Sequence, residues 1–416
     1  MAKMAVKLRV ALDTLGCQLN QAETEAMARS LNHRGYRLVE QGADVYILNT
    51  CTVTQMADAK ARQGLKAAQR YHPGAFVIAT GCYAQRAPEA LAAIPGVNLV
   101  LTNESKSHLI EHIEQRFPGG AALHQASPGL RTRSRIKIQE GCNSQCSYCI
   151  VPQVRGEERS YELEAIIAEV KQRETEGCQE MVLTGTNIGS YHRHGFDLKG
   201  LVEEILARTA IPRIRLSSLQ PQHLTPSLLS LWQNSRLCPH FHLPLQSGSD
   251  RLLRAMGRPY TSQAYRLAVR LLKDTVPQVA ITTDVIVGFP GEEEADFEGT
   301  LALCQELGLA RLHVFPFSPR PGTPAARWPS VPQETKEERR QRLLSLARAV
   351  ALDFPGQFLG QEFSVLCESE TAPGIWRGLT PNYLRVLTAS PQSLAHRITR
   401  VRLSSLVHDG VWGEMT

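Results

Sequence analysis

The stretch IKIQEGCNSQCSYC, residues 136–149, joins a short alternating apolar run to three cysteines that fall within eight residues. Ile136 and Ile138 predict a strand, and Cys142, Cys146 and Cys149 lie in the loop that follows it. Three thiolates in one loop can reach three corners of a cuboidal cluster, and soft sulfur ligands favour iron with sulfide, or zinc. A structural zinc site wants four protein ligands, and no CxxC or HxxxH partner lies nearby. An iron left without a protein ligand can instead bind a small molecule. The spacing therefore points to a catalytic cluster.

Downstream of this loop, EMVLTGTN, RIRLSSLQ, FHLPLQ, VAITTDVIVGF and RLHVFPF continue the strand pattern, separated by helical stretches over 161–176, 198–209, 262–273 and 292–307. Six strand–helix units predict an open, partial (β/α)6 barrel whose chemistry sits in the loops after the strands. A charged amphipathic helix over 334–351 is expected to close this unit, its basic residues forming a solvated face.

Upstream, KLRVALDTLG, ADVYILNTC, AFVIATGC and NLVLTN alternate with helical patterns over 21–34, 56–71 and 88–93. This is βαβ order, which makes a parallel sheet with right-handed crossovers. Cys17, Cys51 and Cys82 each fall at or just past the carboxyl end of a strand, the edge at which open parallel sheets bind ligands. One cysteine there would be an ordinary packing residue, but three in successive units point to a shared metal site. The segment 119–134 is polar and rich in Gly, Pro and Ser, as a linker is. After residue 359 the helical period disappears, and four short strand patterns predict a small antiparallel β-barrel of OB type. The expected organisation is α/β throughout the first two units: 5–118, 128–356 and a terminal barrel over 359–416. Arg377, Tyr383, Arg385, Arg397, Arg400 and Arg402 could give that barrel a nucleic-acid face.

Composition agrees with this. The chain has 416 residues, 43% hydrophobic and 21% charged, which excludes disorder and fibrous folds and predicts two or three domains. No apolar run approaches the roughly 20 residues of a membrane span, and the start lacks the pattern of a secretory signal, so a cytoplasmic protein is expected. There, ten cysteines are not expected to be disulfides. A net charge of +6 allows a polyanionic partner. Cys178, Cys238, Cys304 and Cys367 stand alone and read as packing residues, whereas His240 and His242 alternate on one strand and suit a polar role inside the barrel.

Tyr148, directly before the third clustered cysteine, completes the radical S-adenosylmethionine signature. With TLGCQLNQAETE, ILNTCTVTQMADAKARQ, ATGCYAQ, EGCNSQCSYCIVPQVRGEERS, VLTGTNIGSY, HFHLPLQSGSDRLLRAMGR and TTDVIVGFPGEEEADF, the chain resembles the radical S-adenosylmethionine methylthiotransferases along nearly its whole length. The resemblance implies two [4Fe-4S] clusters. Cys142, Cys146 and Cys149 would hold the one that cleaves S-adenosylmethionine to a 5′-deoxyadenosyl radical. Cys17, Cys51 and Cys82 would hold an auxiliary cluster from which methylated sulfur is delivered, and the terminal barrel would be an RNA-gripping TRAM domain.

By position, Gly185, Thr186 and Asn187 resemble the family's contact to the methionine amino group. Ser217, Ser218 and Gln246 are candidates for ribose or carboxylate contacts, Asp284 and Tyr148 for further cofactor contacts, and Gly288 for close approach to adenine. Arg155 and Arg159 would face substrate phosphate or the cofactor carboxylate, or else pair with Glu157 or Glu158. The family acts on tRNA adenosine beside the anticodon or on an aspartate of a ribosomal protein, drawing electrons from a flavodoxin- or ferredoxin-like reductant. The segment around Thr50–Thr54 and Ala57–Gln63 resembles the branch that methylthiolates C2 of N6-threonylcarbamoyladenosine more than the isopentenyladenosine branch. Ala22 and Gln18 depart from the residues frequent in relatives, without touching the cluster ligands. A non-catalytic iron–sulfur or zinc module that binds RNA would explain the cysteines and the charge, but not the strand motifs or Tyr148.

Overall fold

The computed structural model describes residues 8–120, 132–408 and 410–416. The expected domain starts at 5 and 128 and most of the 119–134 linker lie outside them. The first unit is a five-stranded parallel sheet built on Val45–Thr50, whose six residues are all buried. Arg9–Thr14 and Phe76–Gly81 flank that strand, and Val97–Leu101 and the two-residue Arg37–Leu38 form the edges. Both faces are covered, which is why the strand reads as a continuous apolar run. Tyr46 and Leu48 pack with Ala61, Leu65 and Ala68 of the helix Gln55–Tyr71. Val45 and Ile47 pack with Leu31 of the helix Gln18–His33 and Ile113 of Leu109–Arg116 on the other face.

The second unit is the expected open barrel in two halves. Arg133–Lys137, Glu180–Thr184 and Arg213–Leu216 pair in parallel, as do His240–His242, Ala280–Val287 and Arg311–Pro316. Isolated parallel bridges from Ile214 to Leu237 and from Ser218 to His242 join the halves. Ile136, Met181, Ile214, Phe241, Ile281 and Leu312 point outward into one core shared with the surrounding helices. The alternate positions face inward, and many are polar: Arg133, Arg135, Glu180, Arg213, Arg215, His240, His242, Asp284 and His313.

The helix Gln333–Gly356 covers the edge strand Arg311–Pro316, but its basic residues are not simply a solvated face. Lys336 and Arg339 are buried, and Arg339 forks between Glu292 and Glu294 at 2.8 and 3.0 Å.

The third unit is a closed five-stranded barrel, Glu362–Ala372, Ile375–Leu379, Arg385–Ala389, Gly410–Met415 and Ile398–Val407, antiparallel at every pairing except the parallel one between Val386 and Val411. It seals the end of the large barrel at which the strands begin. Arg213 donates to the Leu379 and Ser364 carbonyls, and Arg215 to that of Pro381.

Candidate metal centre and cofactor mouth

Three loops bring the N-terminal cysteines together. Cys17 caps the start of the helix Gln18–His33, Cys51 follows the central strand directly, and Cys82 opens the short helix Cys82–Arg86. The approach is tight. A side chain on Gly16, whose φ is +101°, would sit 2.7 Å from the Cys51 sulfur. Asn20 aims its Oδ1 at the Cys17 and Cys82 sulfurs, 3.9 Å from each.

The second triad lies on a loop pinned from both sides. Gly141 adopts φ +75°, where a Cβ would fall 1.9 Å from the Glu157 carbonyl, and the Cys142 amide donates to the Gly156 carbonyl. Ser147 bonds the Ala255 and Met256 carbonyls, and Arg258 donates from Nη1 to the Cys146 sulfur at 3.4 Å. Burial pushes the Cys51 and Cys149 thiols up to about 12 and raises Cys82 as well. Thiolates here must therefore be stabilised by bound positive charge.

The donors fit iron–sulfur clusters better than single ions. Among the described residues, only His242, Asp284 and His313 form a group whose ligand atoms all lie within 4.8 Å of one another. Neither cysteine triad closes that far, as thiolates converging on one tetrahedral ion would, whereas a cuboidal cluster holds its ligands on separate irons.

The barrel mouth beside the second triad carries unmet polar groups. Thr184 Oγ1, Thr186 Oγ1 and Ser217 Oγ are buried without a hydrogen-bond partner. Such orphans are rare in a closed interior and suit a ligand rich in amino, carboxylate and hydroxyl groups. Asn187 is buried, its amide bonded to Gln139 and its Oδ1 to Gln220, which also accepts from Arg258. Thus Arg258 and Gln220, which the sequence did not single out, link the cysteine loop to the Gly185–Asn187 turn. Gln246 holds φ +67°, bonded through its backbone to Asp284 and Ile286 at the mouth. Ser218 bridges to His242, whose Nε2 lies 3.2 Å from Asp284 Oδ2. Tyr148 stands edge-on to Phe289, its ring centre 6.3 Å away, on an apolar floor with Met256 and Phe317.

The family described as "Uncharacterized protein family UPF0004" matches residues 9–102, and the Radical SAM superfamily matches residues 136–304. A Bacillus subtilis protein named threonylcarbamoyladenosine tRNA methylthiotransferase MtaB is 37% identical over 95% of this chain and 93% of its own length. One of the same name from Aquifex aeolicus is 38% identical over 91% and 96%. The chain belongs to the radical S-adenosylmethionine methylthiotransferase family. It is therefore a transferase. The tRNA-2-methylthio-N(6)-dimethylallyladenosine synthase of Moorella thermoacetica is 37% identical over 94% of both chains, so overall identity does not separate the branches of the family. In fold, this methylthiotransferase is like the solved radical S-adenosylmethionine methyltransferase TsrM from Kitasatospora setae with cobalamin and a [4Fe-4S] cluster bound: TM-score 0.55 at 15% identity, covering 89% of this chain and 80% of that one. Among the described residues no helix is long and apolar enough to cross a membrane.

Several side chains in this methylthiotransferase sit elsewhere than expected. Arg155 does not face the barrel mouth: it is buried against Cys82 and Glu23. Arg159 pairs with Glu140 at 3.0 Å, not with Glu157 or Glu158. Where a Cβ on Gly288 would project, the Lys336 Cγ lies 2.3 Å away, so Lys336 packs against this glycine. Tyr383 is half-buried over the end of the large barrel, stacked on His240 at 4.6 Å beneath Arg215, and lines the same cleft as Arg377 and Arg385. Arg377 and Arg385 line a cleft of about 700 Å³ with Arg311 and Arg348, whereas Arg397, Arg400 and Arg402 are exposed. Cys178, Cys238, Cys304 and Cys367 are buried in cores as expected.

Proposed function

We propose that this protein is a tRNA methylthiotransferase that installs a methylthio group on C2 of N6-threonylcarbamoyladenosine beside the anticodon. Cys142, Cys146 and Cys149 would ligate the cluster that binds S-adenosylmethionine, and Cys17, Cys51 and Cys82 the auxiliary cluster. The carrying observation is the contact between the two triads: Ile150 and Val154, on the turn after Cys149, pack on Cys82. When bound, the clusters and S-adenosylmethionine supply a carbon radical strong enough to take hydrogen from an unactivated C–H bond, and the sulfur that replaces it.

The chain's own residues bind and orient. Thr186 and Ser217 offer free hydroxyls, Asn187 is held in place through Gln220 and Arg258, and Tyr148, Phe289 and Phe317 keep water from the loop. A flavodoxin- or ferredoxin-like protein would supply electrons. The divisions 5–118, 128–356 and 359–416 are our proposed auxiliary, radical and RNA-gripping domains, and Arg397, Arg400 and Arg402 are candidates for phosphate contacts, which supply much of the affinity for a tRNA stem.

One corner favours threonylcarbamoyladenosine over an isopentenyl substrate. Just past Cys51, Asp58 accepts from Arg86 at 2.8 Å and from Arg320 at 2.5 Å, both arginines also reach Thr52, and Arg320 keeps Nε and Nη1 without partners. Two guanidiniums share one carboxylate there. The spare positive charge suits a base bearing a carboxylate and ill suits an apolar tail.

The test is to digest tRNA from cells with and without the protein. Methylthio-N6-threonylcarbamoyladenosine should vanish from the mass spectrum and return with the wild type but not with Cys142→Ala. Loss of methylthio-isopentenyladenosine instead would move the substrate to that branch. If neither nucleoside changes, tRNA is not the substrate and a ribosomal-protein aspartate takes its place.

A further inference from the structure

Arg155 ends the short helix Val151–Arg155, six residues beyond Cys149, yet its side chain crosses to the other triad. Its Nε donates to the Cys82 sulfur at 3.1 Å. Nη1 reaches Glu23 and Glu140, the latter at 3.3 Å, and Nη2 reaches Asn20 Oδ1 and Glu23 Oε2, the latter at 3.1 Å. The side chain is 2% exposed. Glu23 in turn takes Lys106 and Lys137, and Glu140 takes Lys137 and Arg159. A plain ion pair would not need a fork aimed at a sulfur. A lysine could meet the carboxylates, but only the planar guanidinium bonds a thiolate, two carboxylates and an amide at fixed angles.

We propose that Arg155 is a positioning residue for the auxiliary cluster: it orients the Cys82 thiolate and raises the cluster's reduction potential. This rests on the two-cluster reading above. Hydrogen bonds to cluster sulfurs and local net charge set such potentials. Reduction adds negative charge to the cluster, so a cationic donor on a ligating sulfur stabilises the reduced form more than the oxidised one. Glu23 and Glu140 hold the donor in place and temper its charge. Because the same residue ends the turn that follows Cys149, the radical triad's loop and the auxiliary cluster's redox poise are tied to one side chain.

The experiment uses the full-length chain carrying Cys142→Ala, Cys146→Ala and Cys149→Ala, reconstituted with iron and sulfide, so that only the auxiliary cluster signals. Iron is counted and the midpoint is read by electron paramagnetic resonance during a potentiometric titration. Arg155→Gln should lower the midpoint so that the ratio of reduced to oxidised cluster at fixed poise falls about tenfold, roughly 59 mV for a one-electron couple. Arg155→Lys should fall between it and the parent. Arg155→Gln takes from Glu23 one of its three cationic partners, leaving Lys106 and Lys137, and weakening a buried ion network is costly, so Glu23→Gln/Arg155→Gln serves as a second variant and should shift the midpoint the same way. If the parent chain holds about four irons and no Arg155 variant moves the midpoint, Arg155 is only a structural ion pair. If the parent chain holds no iron, the two-cluster reading fails and takes this proposal with it.

Discussion

Gly16 shows how one residue sets the auxiliary triad. It holds φ +101°, and a methyl group there would meet both Cβ and Sγ of Cys51 at under 3 Å. Gly16→Ala should therefore push the Cys17 turn away from Cys51 and add backbone strain of about 1–3 kcal/mol. We expect loss of auxiliary iron with the radical cluster retained, read as a fall from about eight to about four irons per chain; an unchanged iron content would show that the triad tolerates a wider loop. The cysteines themselves were legible because ligand spacing is local or falls on one sheet edge. Arg155 was not, since its partner Cys82 is 73 residues away in sequence and its own neighbours Glu157 and Glu158 offered a nearer explanation. Thr186 was named from its motif. The stronger sign, a buried hydroxyl with nothing to bond, exists only in three dimensions.

At the scale of elements, the helix Gln18–His33 buries Asn20, Glu23, Thr24 and Glu25 as well as apolar residues. That polar face meets the edge strand Arg133–Lys137, with Glu25 bonded to Arg135 at 2.8 Å and Glu23 to Lys137 at 3.3 Å. The open edge of the large barrel is thus covered by a helix of the first unit, one way of shielding an exposed strand. Strand and helix positions followed the sequence closely, because apolar period reports which face is buried. Where polar faces meet, period is silent, so the burial of Lys336 and Arg339 was missed. Nor did the pattern show that Tyr383, expected on a nucleic-acid face, is held at φ +70° with its ring stacked on His240 of the large barrel. Tyr383→Ala should lower the first thermal unfolding transition, at a cost of about 1–3 kcal/mol, while Tyr383→Phe should stay within about 0.5 kcal/mol, the hydroxyl's bond to Arg133 being long at 3.5 Å. An Ala variant that unfolds with the wild type would show that the stacked ring holds nothing.

Across the whole molecule, buried charge joins the two α/β units. Glu23 lies between Arg155, Lys106 and Lys137; burial would raise its pKa, but these cations hold it down to about 2. A carboxylate depressed in the folded state adds stability that is fully present above its unfolded pKa and is lost as the pH falls toward the folded one. The window here runs from about pH 4.5 down to about pH 2, with up to about 3 kcal/mol at stake. In thermal scans of wild type and Glu23→Gln, the advantage of the wild type should therefore shrink across that window; a constant difference would remove Glu23 from the account. Fold class and the two triads could be read from the chain alone, since both rest on period and spacing, but the coupling of the units could not, since it runs through side chains far apart in sequence. The most direct test of that two-site account is a single-turnover assay with reductant, S-adenosylmethionine and undermodified tRNA, quantifying 5′-deoxyadenosine and the methylthio nucleoside together. Cys149→Ala should give neither product, and Cys17→Ala should give 5′-deoxyadenosine without methylthiolation. Normal methylthiolation by Cys17→Ala would contradict it.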